Sequence, residues 1–358
     1  MTQSGSITIE DVAKAAGVSR QTVSRVINFQ PNVRQSVREK VEAAIAELGY
    51  VPNQAARRMG GSRSYQILAI FEKDAVGRSD GRLPLDQMML AGLRVCGPRG
   101  YHLLFEEVDA SGQKSLGDPS EQIARALTSL KPDGVVLCPS LEEDPGIRSV
   151  LDQRGVASDY LGQRSEFGRL VPGLDDGFFA EAAAEHLLAL GHRQMGFVSG
   201  HHDPVRSARR RDGYRRALIK VGSRAHGHFI SDAPLAFDEA FDLTRAWLTP
   251  TIRPTAIIAE TEETARAVLR AAQSLKISVP DDLSLLVLDD APGLSHCEPA
   301  LTVLHQDYAA HFSQACERLI TANTKSASAM TDNKNTDARE DGFALIDRES
   351  VAAPPRNR

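Results

Sequence analysis

Rotating each residue of the stretch 20–28 by roughly 100° from the last, as in an α-helix, gathers Gln21, Ser24, Arg25 and Asn28 on one arc, with Arg20 and Thr22 at its edges. Val23, Val26 and Ile27 fall on the other arc. The first arc is a strip of long donors and short hydroxyls. A glutamine can pair with adenine and an arginine with guanine through two parallel hydrogen bonds, and residues near a helix start are where such contacts with base edges are made. Thr22, Ser24 and Asn28 suit phosphate oxygens. Two other groups invite an enzymatic reading and fail it. His201, His202 and Asp203 are adjacent on a loop with no third ligand placed to converge on a metal. Asp289 and Asp290 are consecutive, so their side chains point apart at a strand end, whereas acid–base work needs carboxylates that converge. No GxGxxG follows the first strand, and no Walker or GxSxG pattern occurs. Neither catalysis nor a metal or cofactor is expected.

The elements that would position the polar strip are legible around it. Thr8 can cap a helix from Ile9 to Ala16, with Glu10 and Asp11 at its positive end. Gly17 supplies the left-handed stop, Val18 plugs the turn, and Ser19 caps the helix that carries the strip. The pattern predicts a helix-turn-helix. Val37, Val41, Ile45 and Leu48 then mark a third helix that stops at Gly49. After Pro52, Asn53 can cap a short helix over 54–59 before Gly60, Gly61 and Ser62. A helix that short does not persist alone in water, so it is a linker or orders on a partner.

Charge agrees with this division. The 358-residue chain carries a net charge of −5, yet residues 1–63 hold nine basic and five acidic groups, +4, which leaves −9 for the rest. A cationic head on an anionic body is the electrostatic footprint of phosphate attraction confined to one module. The N-terminus lacks a basic-then-apolar export pattern, and the apolar run Ile67–Phe71 is far shorter than the roughly 20 residues of a bilayer span. The four cysteines show no metal or disulfide spacing. A reducing cytoplasm is expected.

Beyond Ser64, short apolar runs alternate with helical patterns. Strands are expected at Ile67–Phe71, Tyr101–Glu106, Gly134–Cys138, Ala157–Leu161, Gln194–Ser199, Ala256–Ala259 and Leu283–Leu288, with helices such as Gln87–Cys96, Ser120–Leu130, Phe178–Leu190 and Thr264–Leu275 between them. This is the order of parallel sheets covered on both faces. The rhythm occurs twice: Leu130-Lys-Pro-Asp133 enters one strand as Ile252-Arg-Pro-Thr255 enters another. Two α/β lobes follow, with ligands expected in the cleft at strand C-terminal ends.

Residues 7–63 resemble the DNA-binding head and hinge of the lactose/galactose repressor (LacI/GalR) family. The resemblance is carried by IEDVAKAAGVSRQTVSRVIN from Ile9 to Asn28, REKVEAAIAELGYVPN from Arg38 to Asn53 and AARRM from Ala55 to Met59. It continues in the body through AAEHLLALGHRQMGFVSG (Ala183–Gly200), RRDGY (Arg210–Tyr214), LDD (Leu288–Asp290), LTVLHQD (Leu301–Asp307) and Arg348-Glu349-Ser350. It implies a sequence-specific transcriptional regulator, a repressor, binding a near-palindromic operator as a homodimer under a sugar or sugar-derivative effector. The implied fold is a three-helix head (1–52), a hinge helix and linker (53–63), and a periplasmic-binding-protein-like core of two doubly wound parallel sheets (64–350).

By the same resemblance, Arg20, Gln21 and Arg25 read bases, while Thr22, Ser24 and Asn28 complete the contact. The hinge residues Asn53, Ala56 and Met59 reach the minor groove, Met59 standing where a leucine is usual. Arg34 replaces a capping serine. Glu72, Arg210, Thr261, Glu262 and Asp289 fall on effector-pocket positions, with Thr261 and Glu262 replacing an Asn-Asp pair. Three crossovers divide the core into lobe 1 (64–161 and 292–322) and lobe 2 (162–290 and 341–350). Residues 323–340 are expected to be a loose loop and 351–358 a disordered tail.

Overall fold

Thr8 opens α1 (Ile9–Ala16) with a reciprocal cap: its hydroxyl accepts from the Asp11 amide at 3.4 Å, and the Asp11 carboxylate accepts from the Thr8 amide at 2.9 Å. Gly17, at φ 66°, closes α1 in the left-handed region where a Cβ is costly. Ser19 starts α2 (Arg20–Ile27), its Oγ accepting from the Thr22 amide at 3.1 Å. α3 (Gln35–Leu48) stops at Gly49, φ 61°, and begins at Arg34 without a side-chain cap, as the replacement of a capping serine implies. Val12, Ala13, Val23, Val26, Val41 and Ala44 make the core of this head. The computed structural model describes residues 7–27, 33–50, 63–73, 84–109, 117–138, 141, 144–161, 176–200, 203–222, 229–288, 290–324 and 343–355. Asn28, Asn53, Ala56 and Met59 lie outside them, as does Asp289. Residues 1–65 and 66–358 form two separate units.

In the second unit, β1 (Gln66–Glu72), β2 (His102–Val108), β3 (Gly134–Leu137) and β4 (Ala157–Tyr160) form a parallel sheet of order β2-β1-β3-β4. Alternation along the strands loads both faces. Leu68, Ile70, Val135 and Leu137 pack against α5 (Pro119–Leu130) and α6 (Pro145–Arg154). α11 (Tyr308–Thr324) packs against β3, β4 and α4 (Leu85–Cys96).

β5 (Met195–Val198), β6 (Ala256–Ala259), β7 (Ser284–Val287), β8 (Thr302–Gln306) and β9 (Phe343–Ile346) form the second sheet in that order. α7 (Asp176–Ala189) and α8 (Pro204–Lys220) cover the face of Phe197, Ile258 and Leu286. α9 (Phe237–Leu248) and α10 (Glu262–Ser274) cover that of Ile257, Leu285 and Val287.

Four expectations need correction. The sheets are parallel except at β9, which pairs antiparallel with β8 because it re-enters along the sheet edge after α11. Residues 292–322 do not belong to one lobe: Thr302–Gln306 pairs with β7 in the second sheet, and only α11 packs on the first. The strand is covered on both faces there, between β7 and β9, and Leu301, Thr302 and Val303 are fully buried. Of the expected loop 323–340, residues 323 and 324 end α11 and 325–340 lie outside the described residues. The supposed tail is tied down over 351–355: the Ala352 carbonyl accepts from His192 Nε2 at 2.8 Å and from Ser284 Oγ at 3.0 Å.

His192 makes that strap sensitive to pH. It is fully buried, with Nδ1 2.9 Å from Thr255 Oγ1, and burial pushes its pKa below 6.5. A depressed histidine pKa means that the unfolded chain binds the proton more readily. Its stabilising contribution is therefore complete above pH 6.5 and is lost as pH falls through the folded value. Tm is expected to drop on acidification below that point, and His192→Gln is expected to flatten the drop; an unchanged profile in the variant would remove His192 from the effect.

Candidate functional site

On the head, Val23 and Val26 anchor α2 in the core, which turns Arg20, Gln21 and Arg25 outward as exposed side chains, with Thr22 and Ser24 half-buried beside them. Thr22 Oγ1 lies 2.9 Å from Ser19 Oγ, so its hydroxyl helps fix the helix start. Arg20 reaches back to Glu10 at 3.2 Å; both are largely exposed, and such a pair contributes little stability. Arg20, Gln21, Thr22, Ser24 and Arg25 thus lie outside the head's core, and Asn28 is outside the described residues.

In the second unit, the buried stripe of α8 runs Arg206, Ser207, Arg210, Gly213, Tyr214, Ala217 and Leu218. Asp203 caps the helix, accepting from the Val205 amide at 2.9 Å. The stripe therefore carries two guanidiniums into the protein interior beside the first residue of α7, Asp176. Arg206 holds that carboxylate with two bonds, Nε to Oδ2 at 2.8 Å and Nη2 to Oδ1 at 3.1 Å, and Arg210 Nε donates to Oδ1 at 2.8 Å. Burial would push the Asp176 carboxyl up, but the Arg206 and Arg210 charges outweigh it and hold its pKa below the ordinary value. Arg210 also lies over the Phe179 ring, 5.5 Å from its centre.

Glu260, directly after β6, is fully buried. Its Oε2 accepts from the Gly200 amide at 2.9 Å and from Ser207 Oγ at 2.7 Å, and its Oε1 lies 3.9 Å from Arg210 Nη1. That Nη1 has no hydrogen-bond partner among the described residues. The guanidinium is thus oriented by one carboxylate and flanked by a second, and among the described residues it leaves an N–H group from which a ligand oxygen could accept.

Of the expected pocket residues, Arg210 is central to this cluster. Thr261 follows Glu260 and caps α10, its Oγ1 accepting from the Thr264 amide at 3.3 Å. Glu262 pairs with Arg266 at 3.0 Å and lies against Gly293, where an added Cβ would be 2.2 Å from Glu262 Oε1. Glu72 ends β1 in the other sheet. Asp290, next to the undescribed Asp289, bonds Arg348 at 2.8 Å.

Asp176, Arg206, Ser207, Glu260 and Tyr308 were not singled out from sequence. A signal existed for Arg206 and Ser207, which share the helical stripe of Tyr214 and Leu218. None existed for Glu260 beyond an acid abutting the apolar AIIA strand.

Residues 8–53 match the profile described as bacterial regulatory proteins, lacI family, and residues 184–351 match that of a periplasmic binding protein-like domain. The HTH-type transcriptional regulator CelR of Thermobifida fusca is 32% identical over 84% of this chain and 86% of its own length. The ribose operon repressor of Escherichia coli K12 is 26% identical over 84% of this chain and 88% of its own. Among solved structures, a CelR–cellobiose complex superposes with a TM-score of 0.59 at 26% identity, covering 96% of this chain and 99% of that one. The lac repressor dimer bound to operator and the anti-inducer ONPF does so with a TM-score of 0.63 at 24% identity, over 98% and 100%, a likeness of fold.

Proposed function

The chain belongs to the LacI family of bacterial regulatory proteins, and we propose that it is a transcriptional repressor that binds a near-palindromic operator as a homodimer and answers to a sugar or sugar derivative. It acts without a catalytic step, in the cytoplasm. One observation carries the reading: a helix whose apolar side is locked into a three-helix core presents Gln21 in its first turn and Arg25 in its last as exposed donors. Backbone phosphates draw the cationic head to any duplex, while these donors distinguish base pairs in the major groove. Arg20, Thr22, Ser24 and Asn28 complete that surface, with Asn53, Ala56 and Met59 in the minor groove.

The ligand is held in the second unit by Arg210, with Glu72, Thr261, Glu262 and Asp289 as further contacts. A sugar is supported by the pairing of donor and acceptor: the buried Arg210 guanidinium can donate to one hydroxyl, and the Glu260 carboxylate beside it can accept from a neighbouring one. Occupancy changes operator affinity by the difference in its binding to the two lobe arrangements, typically about 1–3 kcal/mol.

The reading is tested by titrating the protein against its own promoter and against random duplex, with and without cellobiose or ribose. Arg25→Ala and Gln21→Ala are each expected to weaken promoter binding by about 1–3 kcal/mol and to leave random-duplex binding nearly unchanged. Equal losses on both would reduce these residues to phosphate contacts, and equal wild-type affinity for both would end the proposal.

A further inference from the structure

The buried charge cluster extends past Arg210. Arg206 Nη2, already bonded to Asp176, also donates to the Tyr308 hydroxyl at 2.7 Å, and that hydroxyl donates to Gln306 Oε1 at 2.6 Å. Gln306 is the last residue of β8, in the second sheet. Tyr308 is the first residue of α11, which packs against α4, β3 and β4 of the first lobe. The phenol therefore stands where the chain passes from one lobe to the other, bonded to side chains of the second.

Asp176 Oδ1 accepts from both guanidiniums, Arg206 Nη2 and Arg210 Nε. Two donors that share one oxygen do not respond independently: a ligand that draws Arg210 toward itself through Nη1 changes the hold of Asp176 on Arg206. Arg206 in turn sets the Tyr308 hydroxyl. Asp176, Arg206 and Arg210 are nine-tenths or more buried, and in low dielectric a broken bond in such a network is not replaced by water.

We propose that the chain Arg210–Asp176–Arg206–Tyr308 couples the effector group to the start of α11, making Arg206 and Tyr308 positioning residues that carry ligand occupancy from the second lobe into the first. The ligand end of the proposal rests on Arg210 contacting the effector. The coupling itself does not depend on that contact, because every bond in the chain joins two side chains of the protein.

The test is a double-mutant cycle on the full-length protein without sugar, read by amide hydrogen exchange over residues 309–316. Tyr308→Phe keeps the ring and removes only the hydroxyl; Arg210→Gln removes the guanidinium. Each is expected to speed exchange there about tenfold, and the double variant no more than the faster single, the non-additivity of one connected network. If Arg210→Gln leaves that segment at the wild-type rate, or if the two effects multiply, the coupling is refuted. A packing role for Tyr308 alone would give the first of these results. Where Arg210→Gln lacks the native circular dichroism spectrum, Arg210→Lys, which keeps the charge, takes its place in the cycle. A sugar that binds the wild-type chain and Arg210→Gln equally well would count against Arg210 as an effector contact and leave this cycle's outcome standing.

Discussion

Asp176→Ala is expected to lower unfolding free energy by about 3–5 kcal/mol, the cost of leaving buried charge without its counter-charge. The magnitude follows from what the side chain does. One carboxylate, 5% exposed, receives Arg206 and Arg210, themselves 7% and 2% exposed. Its removal strands two guanidiniums away from water, and the next carboxylate, Glu260, lies 3.9 Å from Arg210 and already accepts two other bonds. Asp176→Asn should cost less, since it keeps the shape and one acceptor. Urea denaturation at constant m-value measures both; a loss under about 1 kcal/mol for the alanine variant would mean that the cluster is not the ion-paired network described. The linkage has a definite sign. Because the folded pKa is depressed, this stability is present above the ordinary value of 3.8 and is lost as pH falls through the folded one.

Gly213→Ala is expected to cost about 3 kcal/mol by overpacking and to disturb the same cluster. A Cβ at Gly213 would lie 1.9 Å from the Gly177 carbonyl oxygen and 2.7 Å from its carbon. The obstacle is backbone, so no rotamer change relieves it, and α7 and α8 must separate. Asp176 is next to Gly177, and Arg210 lies one turn before Gly213. A separation large enough to admit a methyl therefore lengthens the Asp176–Arg210 bond as well. Gly97→Ala serves as the control: its φ is −54°, nothing lies within 4 Å of the added Cβ, and a change within about 0.5 kcal/mol is expected there. Similar small effects for both would show that the helices are not in close contact at Gly213.

Much of the head was written in near neighbours. Thr8, Gly17, Ser19 and Gly49 act within three or four residues of where they stand, so helix starts and stops could be placed from sequence alone, and α1 falls at Ile9–Ala16 as expected. The side of α2 that faces outward follows from its period. The strands of the body were equally open to reading because each is a short apolar run between turn signals; the bounds shifted by a residue or two, as at β5 and β7. β8 was not placed as a strand, and its sheet was misassigned, because partner choice is set by sheet order rather than by local pattern.

The arginine cluster belongs to that second kind of information. Asp176 meets Arg206 and Arg210 from 30 and 34 positions away, and Arg206 meets Tyr308 across 102. No periodicity connects such distances. They close only because α7 and α8 dock at a pair of glycines and because β8 delivers the start of α11 beside them. Sequence alone thus settled which segments become helices and strands, and which face of α2 is polar, since those depend on backbone preference and on apolar residues a few positions apart. Which charges share a buried site was decided by the packed fold, because burial makes an ion pair obligatory only after distant elements have excluded water from around it.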